Sequence, residues 1–174
     1  QNALLLGPIF IPLAFAALGV LAARNRTVQH AAGVAGGILA WLCSLGVLAA
    51  NLDGAVLTYR LGGWPPPFGI VLVGDLLASV FAVMATTVVA AGIVYAVGCK
   101  DKCVGYPAYM PLFLCMGSRL NGAQYTGDIF TLFVFIELMV IASVVLVAIS
   151  DNKLGLEAAI KYQFISAMGT LFLL

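Results

Sequence analysis

Charge is what this chain has least of. Only 9% of its 174 residues are Asp, Glu, Lys or Arg, against about 25% in a soluble domain. That scarcity, with a mean hydropathy of +1.12, excludes a water-soluble globular protein. The formal net charge of +1 excludes the basic footprint of a nucleic-acid binder. Four cysteines (Cys43, Cys99, Cys103 and Cys115) are too scattered for a secreted disulfide framework. Cys43 and Cys115 fall within apolar runs and read as small core residues. Cys99 and Cys103 bracket a short charged loop, but C-x3-C without further ligands does not make a zinc site. There is no Walker motif, no redox motif and no nucleophile arrangement. No metal, cofactor or catalytic residue is expected of this chain by itself.

What is present is a series of long apolar runs. About 20 such residues cross a bilayer as a helix. Six spans are expected, near 3–23, 31–50, 70–97, 108–125, 127–149 and 155–174, forming one all-α membrane domain over 1–174. Pro8 and Pro12 lie in the first span, where membrane helices tolerate them. Gly33, Gly36 and Gly37 give the second a small-residue face suited to close packing within the subunit. His30 is placed in the loop after the first span. Residues 51–69 form the longest polar stretch, an outer loop. Its VLTYRL segment suits a short strand, GGWPPPFG is too rich in Gly and Pro for a helix, and Trp64 suits the interface. No basic stretch precedes the first span, so no signal peptide is expected. Starting at Gln1 and stopping inside an apolar run, the sequence reads as part of a longer protein.

Lysine and arginine set the orientation. Arg24 and Arg26, Lys100 and Lys102, and Lys153 and Lys161 follow the first, third and fifth spans, on one side. Arg60 stands opposite, with Asp53 and Asp128. The basic side is the cytoplasm of a multi-pass protein of the cell membrane, and the N-terminus is outside.

The remaining charges lie within or beside the apolar runs. Glu137 stands mid-span in GDIFTLFVFIELMVIASVVLVAI. A charged residue near the bilayer centre costs about 2.5–3.5 kcal/mol on insertion scales, which makes it a functional candidate. Counting about 1.5 Å per residue from the 125–127 turn, Glu137 and Arg119 reach similar depth, about 13 and 10 Å. A pair between them, direct or through water, is expected. A nearby cation favours the carboxylate and desolvation favours the neutral acid, and a proton carrier is poised between the two. The plainer reading of Glu137 is a neutral residue that locks packing through hydrogen bonds. For Arg119 it is snorkelling, or a bond to a carbonyl of an adjoining subunit. Asp75 and Asp128 read as caps or loop anchors near the outer surface. Lys161, two turns into the sixth span, either snorkels or faces the bundle as a proton-path residue. Phe130, Phe133 and Phe135 are read as packing.

The runs GGWPPPFGIVLVGDLL, NGAQYTGDIFTLFVFIELM and LEAAIKYQF resemble the antiporter-like membrane subunits shared by Mrp-type cation/proton antiporters, membrane-bound hydrogenases and respiratory complex I. The D subunit of Mrp is the most similar. The resemblance implies the N-terminal part of a subunit of about fourteen helices with two inverted five-helix repeats. It implies proton-pathway roles for Glu137 and Lys161 and matches Asp75 and Asp128 to family aspartates. The lysine that pairs with the glutamate would lie beyond Leu174, and Arg119 stands where the family has a small residue. Expected partners are other membrane subunits, lipid, protons and sodium, and no nucleic acid. Coupling would be to sodium export, or to electron transfer in a partner oxidoreductase of the NADH:quinone or hydrogenase type. A structural or assembly subunit without its own ion path is the alternative, and an independent small-solute transporter a third reading.

Overall fold

The computed structural model describes residues 3–64, 68–99 and 101–173. Six α-helices run in chain order: α1 Gly7–Leu21, α2 Arg26–Asn51, α3 Leu76–Gly98, α4 Tyr109–Tyr125, α5 Ile129–Ala148 and α6 Lys153–Leu171. A 3-10 turn over Ala3–Leu6 leads into α1. The stretches Ala3–Leu21, Arg26–Asn51, Leu76–Gly98 and Ile129–Ala148 are long and apolar enough to cross a membrane, and α4 and α6 complete the bundle. The first four helices close into a ring, α1 on α2, α2 on α3, α3 on α4 and α4 on α1. Then α5 packs on α4 and α6 on α5.

Short polar side chains start most of these helices. Asp75, Asp128 and Asn152 accept hydrogen bonds from the N–H of Ala78 (2.7 Å), Thr131 (3.0 Å) and Gly155 (2.6 Å). Each satisfies an N–H that has no partner within its own helix. Asn25 makes a longer contact of 3.5 Å to the N–H of Val28. It starts α2 at Arg26, so His30 lies inside that helix and not in the preceding loop.

The loop between α2 and α3 is more ordered than its composition promises. Strand β1, Leu57–Arg60, pairs antiparallel with β2, Val71–Gly74, with Leu57 opposite Gly74 and Arg60 opposite Val71. The helix expected from Ile70 therefore begins at Leu76. Val71 to Gly74 are taken by the strand, where β-branched residues suit a pleated surface. Between the strands Gly62 and Gly63 adopt φ of 67° and 77°, which a Cβ would strain. Trp64 is exposed. Pro65, Pro66, Pro67 and Lys100 lie outside the described residues. The hairpin is tied to the α4–α5 turn, because Gly127 N–H donates to Val71 O at 2.9 Å and Thr126 bridges Leu72. It thus sits over the turn that joins the helix pair carrying Arg119 and Glu137.

Between apolar helices in lipid, association rests on close packing and interhelical hydrogen bonds. A Cβ on Gly36 would meet Phe15 Cβ at 2.7 Å, and one on Gly37 would meet Ile93 Cδ1 at 2.9 Å. The small face of α2 is therefore spent on α1 and α3 of the same chain. At Gly122 the added atom would collide with the ring of Phe135 at Cε1. Gly122→Val is expected to destabilise the α4–α5 contact by about 1–3 kcal/mol, the usual cost of overpacking. Thermal unfolding of the detergent-purified protein, set beside Gly98→Ala where a Cβ meets nothing within 4 Å, checks this.

The hydrogen bonds answer a specific problem. Pro12 has no N–H for the carbonyl of Pro8, and the carbonyl of Pro107 stands in the turn before α4, outside its helical bonds. Asn121 Nδ2, on α4, donates to Pro8 O at 3.0 Å, and Gln29 Nε2, on α2, donates to Pro107 O at 2.5 Å. Ser118 Oγ adds a bond to Ile9 O at 2.6 Å. Asn51 Nδ2 likewise reaches Gly74 O and Asp75 O, 3.0 and 3.1 Å away, where β2 passes into α3. All three amide side chains are buried, so water does not compete for these bonds.

Candidate functional site

Glu137 lies on α5, nine residues past the Asp128 cap, and is half-buried. Its carboxyl faces α6, where Oε1 is in very short contact with the hydroxyl of Thr170. Thr170 is 7% exposed and sits one turn from the Ser166 and Ala167 carbonyls, each 3.1 Å from its Oγ1. A hydroxyl has one proton and two acceptor lone pairs. If that proton goes to the Glu137 carboxylate, the backbone carbonyls go without it. If it goes to a carbonyl, the short contact is satisfied by a protonated Glu137 donating to Oγ1. One side chain therefore accommodates both protonation states by a rotation about Cβ–Oγ1.

Arg119 makes no direct pair with Glu137. No ion pair joins them among the described residues, where the one salt bridge is Lys161–Glu157. Arg119, half-buried on α4, lines a cavity of about 480 Å³ between α1, the hairpin loop, α4 and α5. Glu137 is not among that cavity's walls. Counting residues along two helices gives a common depth but not a common direction. Here α5 turns Thr131, Phe135 and Leu138 toward Arg119 and Glu137 toward α6.

Asp128 lines the same cavity from its outer end. Its Oδ2 accepts from both the N–H and the hydroxyl of Thr131, at 3.0 and 2.9 Å. Standing outside the span, its carboxyl is held below its ordinary value of 3.8, chiefly by the Thr131 backbone bond and then by the Thr131 hydroxyl. A lowered value in the folded chain means that the cap is fully present above the ordinary value and is lost as pH falls through the folded one. Hydrogen exchange at the Thr131 amide, corrected for its intrinsic pH dependence, is expected to quicken below about pH 4. Asp128→Asn should show no such step.

Asp75 caps α3 and is exposed. Lys161 is exposed too, and its Nζ meets Glu157 Oε1 at 2.5 Å one turn away on the same helix. Nine residues separate it from Thr170, about two and a half turns, so the two occupy opposite faces of α6. Sequence reasoning does not single out Thr170. Its one signal there is that it is the last polar residue before the apolar run LFLL. Among the described residues no group of three or more His, Cys, Asp or Glu is placed to hold a metal ion.

The chain is similar over 98% of its length to the D subunit of a Na(+)/H(+) antiporter of Alkalihalophilus pseudofirmus, at 32% identity and 35% of that protein. It is similar over the same share to the D subunit of a probable K(+)/H(+) antiporter of Rhizobium meliloti, at 35% identity and 33% of that protein. Among solved structures it superposes on a chain of the membrane-bound sulfane sulfur reductase, an archaeal respiratory membrane complex. There the TM-score is 0.86 and the identity 26%, covering 99% of this chain and 35% of that one. It also superposes on a chain of the Mrp complex from Dietzia sp. DQ12-45-1b, with TM-score 0.83 and 25% identity over 97% of this chain and 32% of that one. No family model matches. The chain spans about a third of the length of the curated relatives it matches.

Proposed function

We propose that this chain, which belongs to the antiporter-like membrane subunit family, forms the N-terminal part of a proton-translocating subunit of a multisubunit cation/proton antiporter, with Glu137 as proton carrier. The contact between Glu137 and Thr170 supports this reading most. A half-buried acid that is only structural needs a partner for one protonation state. This acid has a partner that serves both. Loading and unloading Glu137 then costs a hydroxyl rotation and no helix movement. Lys161, on the far face of α6, is a second station toward helices beyond this chain.

The orientation follows the lysines and arginines: N-terminus and hairpin outside, Arg24, Arg26, Lys102 and Lys153 in the cytoplasm. The names of the relatives point to sodium or potassium as the exchanged cation, with other membrane subunits as partners. The alternative, a structural subunit of a respiratory complex, draws on the likeness to the sulfane sulfur reductase complex. It predicts that changes around Glu137 affect assembly and not transport.

Thr170 separates the two. Removing a hydrogen bond to a charged group costs about 1.5–3 kcal/mol, so Thr170→Val is expected to slow cation-driven proton movement about tenfold or more. The measurement uses everted vesicles carrying the whole complex. Thr170→Ser should stay within about twofold of wild type, because the hydroxyl is kept. Wild-type transport in an assembled Thr170→Val complex would reject Glu137–Thr170 as the site.

A further inference from the structure

We propose that the cavity between α1, the hairpin loop, α4 and α5 binds a zwitterionic phospholipid, with the phosphate on Arg119 and the ammonium on Asp128. The volume, about 480 Å³, lies in the range of small-molecule sites, about 300–1,000 Å³. Two charges of opposite sign line it, Arg119 and Asp128, yet they form no ion pair with each other. No hydrogen bond from the Arg119 guanidinium to any described residue is formed either, which leaves five N–H donors in a largely apolar cavity. A cation in such surroundings requires an anion or water.

Asp128 offers the opposite half. Both bonds from Thr131 fall on Oδ2, which leaves Oδ1 outside them. The carboxyl, lowered by those bonds, is ionised at neutral pH. It sits at the outer end of α5, where lipid headgroups lie, and Arg119 is about 10 Å further in along α4. A guanidinium at that depth reaches toward the interface on its apolar stem.

Below the charges the walls are apolar. Phe10 of α1 and Val134 and Leu138 of α5 are 45%, 36% and 38% exposed, a seat for an acyl chain. An anionic lipid would satisfy Arg119 but be repelled by Asp128. A carboxylate on a helix from the rest of the protein would satisfy Arg119 but make no use of Asp128, which is exposed on the wall of the same cavity. A zwitterion answers both.

The test uses the whole complex in phosphatidylglycerol vesicles containing a trace of phosphatidylethanolamine with a photoactivatable acyl chain. Peptide mass spectrometry then locates the adducts. Adducts are expected on residues 7–21 and 129–148, falling about tenfold in Arg119→Met and largely retained in Arg119→Lys, which keeps the charge. The same probe with a glycerol headgroup should label wild type about tenfold less, and Asp128→Asn should narrow that gap. The headgroup comparison in wild type needs no variant, so it stands even if Arg119→Met fails to assemble. Equal labelling by the two headgroups, unchanged labelling in an assembled Arg119→Met complex, or a density map with a protein helix seated in the cavity would overturn the proposal.

Discussion

Glu137→Gln is expected to abolish cation-driven proton transport in vesicles while the complex still assembles. Glutamine keeps the size of the side chain and can still bond Thr170 Oγ1, so the α5–α6 contact survives. It cannot take up or release a proton in the physiological range. Removing a positioned proton-transfer group lowers rates about 10²–10⁴-fold, and the loss should fall in that range. Glu137→Asp draws the carboxyl back by one methylene from Thr170, so intermediate activity is expected. The structural reading of Glu137 makes the opposite forecast: Gln, a good hydrogen-bonding replacement, would be nearly silent. Blue-native electrophoresis of the same membranes separates lost transport from lost assembly.

Asn121→Ala is expected to destabilise the bundle by about 1–3 kcal/mol, the cost of leaving a buried carbonyl unsatisfied. The carbonyl is that of Pro8, which receives Asn121 Nδ2 at 3.0 Å because Pro12 has no N–H to give. The claim is sharper in a double-mutant cycle. In a Pro12→Ala background residue 12 regains its N–H, Pro8 O has a partner within its own helix, and Asn121→Ala should cost about 1 kcal/mol less. Pro12→Ala by itself carries little penalty in helix propensity, since alanine is the better helix former. Strict additivity of the two changes would mean that Asn121 does not repair the proline gap.

Run length marks the apolar helices, because bilayer thickness fixes how many apolar residues a span needs, and four of the six stretches are long and apolar enough to cross a membrane. The six-helix membrane fold follows from that, together with the family suggested by the GGWPPPFG and TGDIFTLFVFIE runs. Element ends are less legible. Asn25 starts α2 five residues early and takes in His30, since a capped helix continues into polar sequence once water satisfies its outer face. Val71 to Gly74 is as apolar as a helix start, and only its partner, Leu57–Arg60, makes it a strand.

Facing is the least legible of all. Arg119 and Glu137 share a depth, but azimuth depends on which neighbour each helix packs against, and α6 claims Glu137 while the hairpin cavity claims Arg119. Thr170 lies 33 residues from Glu137, with no periodicity to link them. The partners of Asn121 and Gln29, the carbonyls of Pro8 and Pro107, depend on helix neighbours that spacing along one chain does not fix.

Infrared difference spectroscopy across a pH titration of the reconstituted complex tests the proton carrier most directly. A carboxylic C=O band is expected to appear and vanish with pH in wild type, to be missing in Glu137→Gln, and to move in Thr170→Val as its hydrogen bond is lost. A titrating spectrum indistinguishable between wild type and an assembled Glu137→Gln complex would contradict the account.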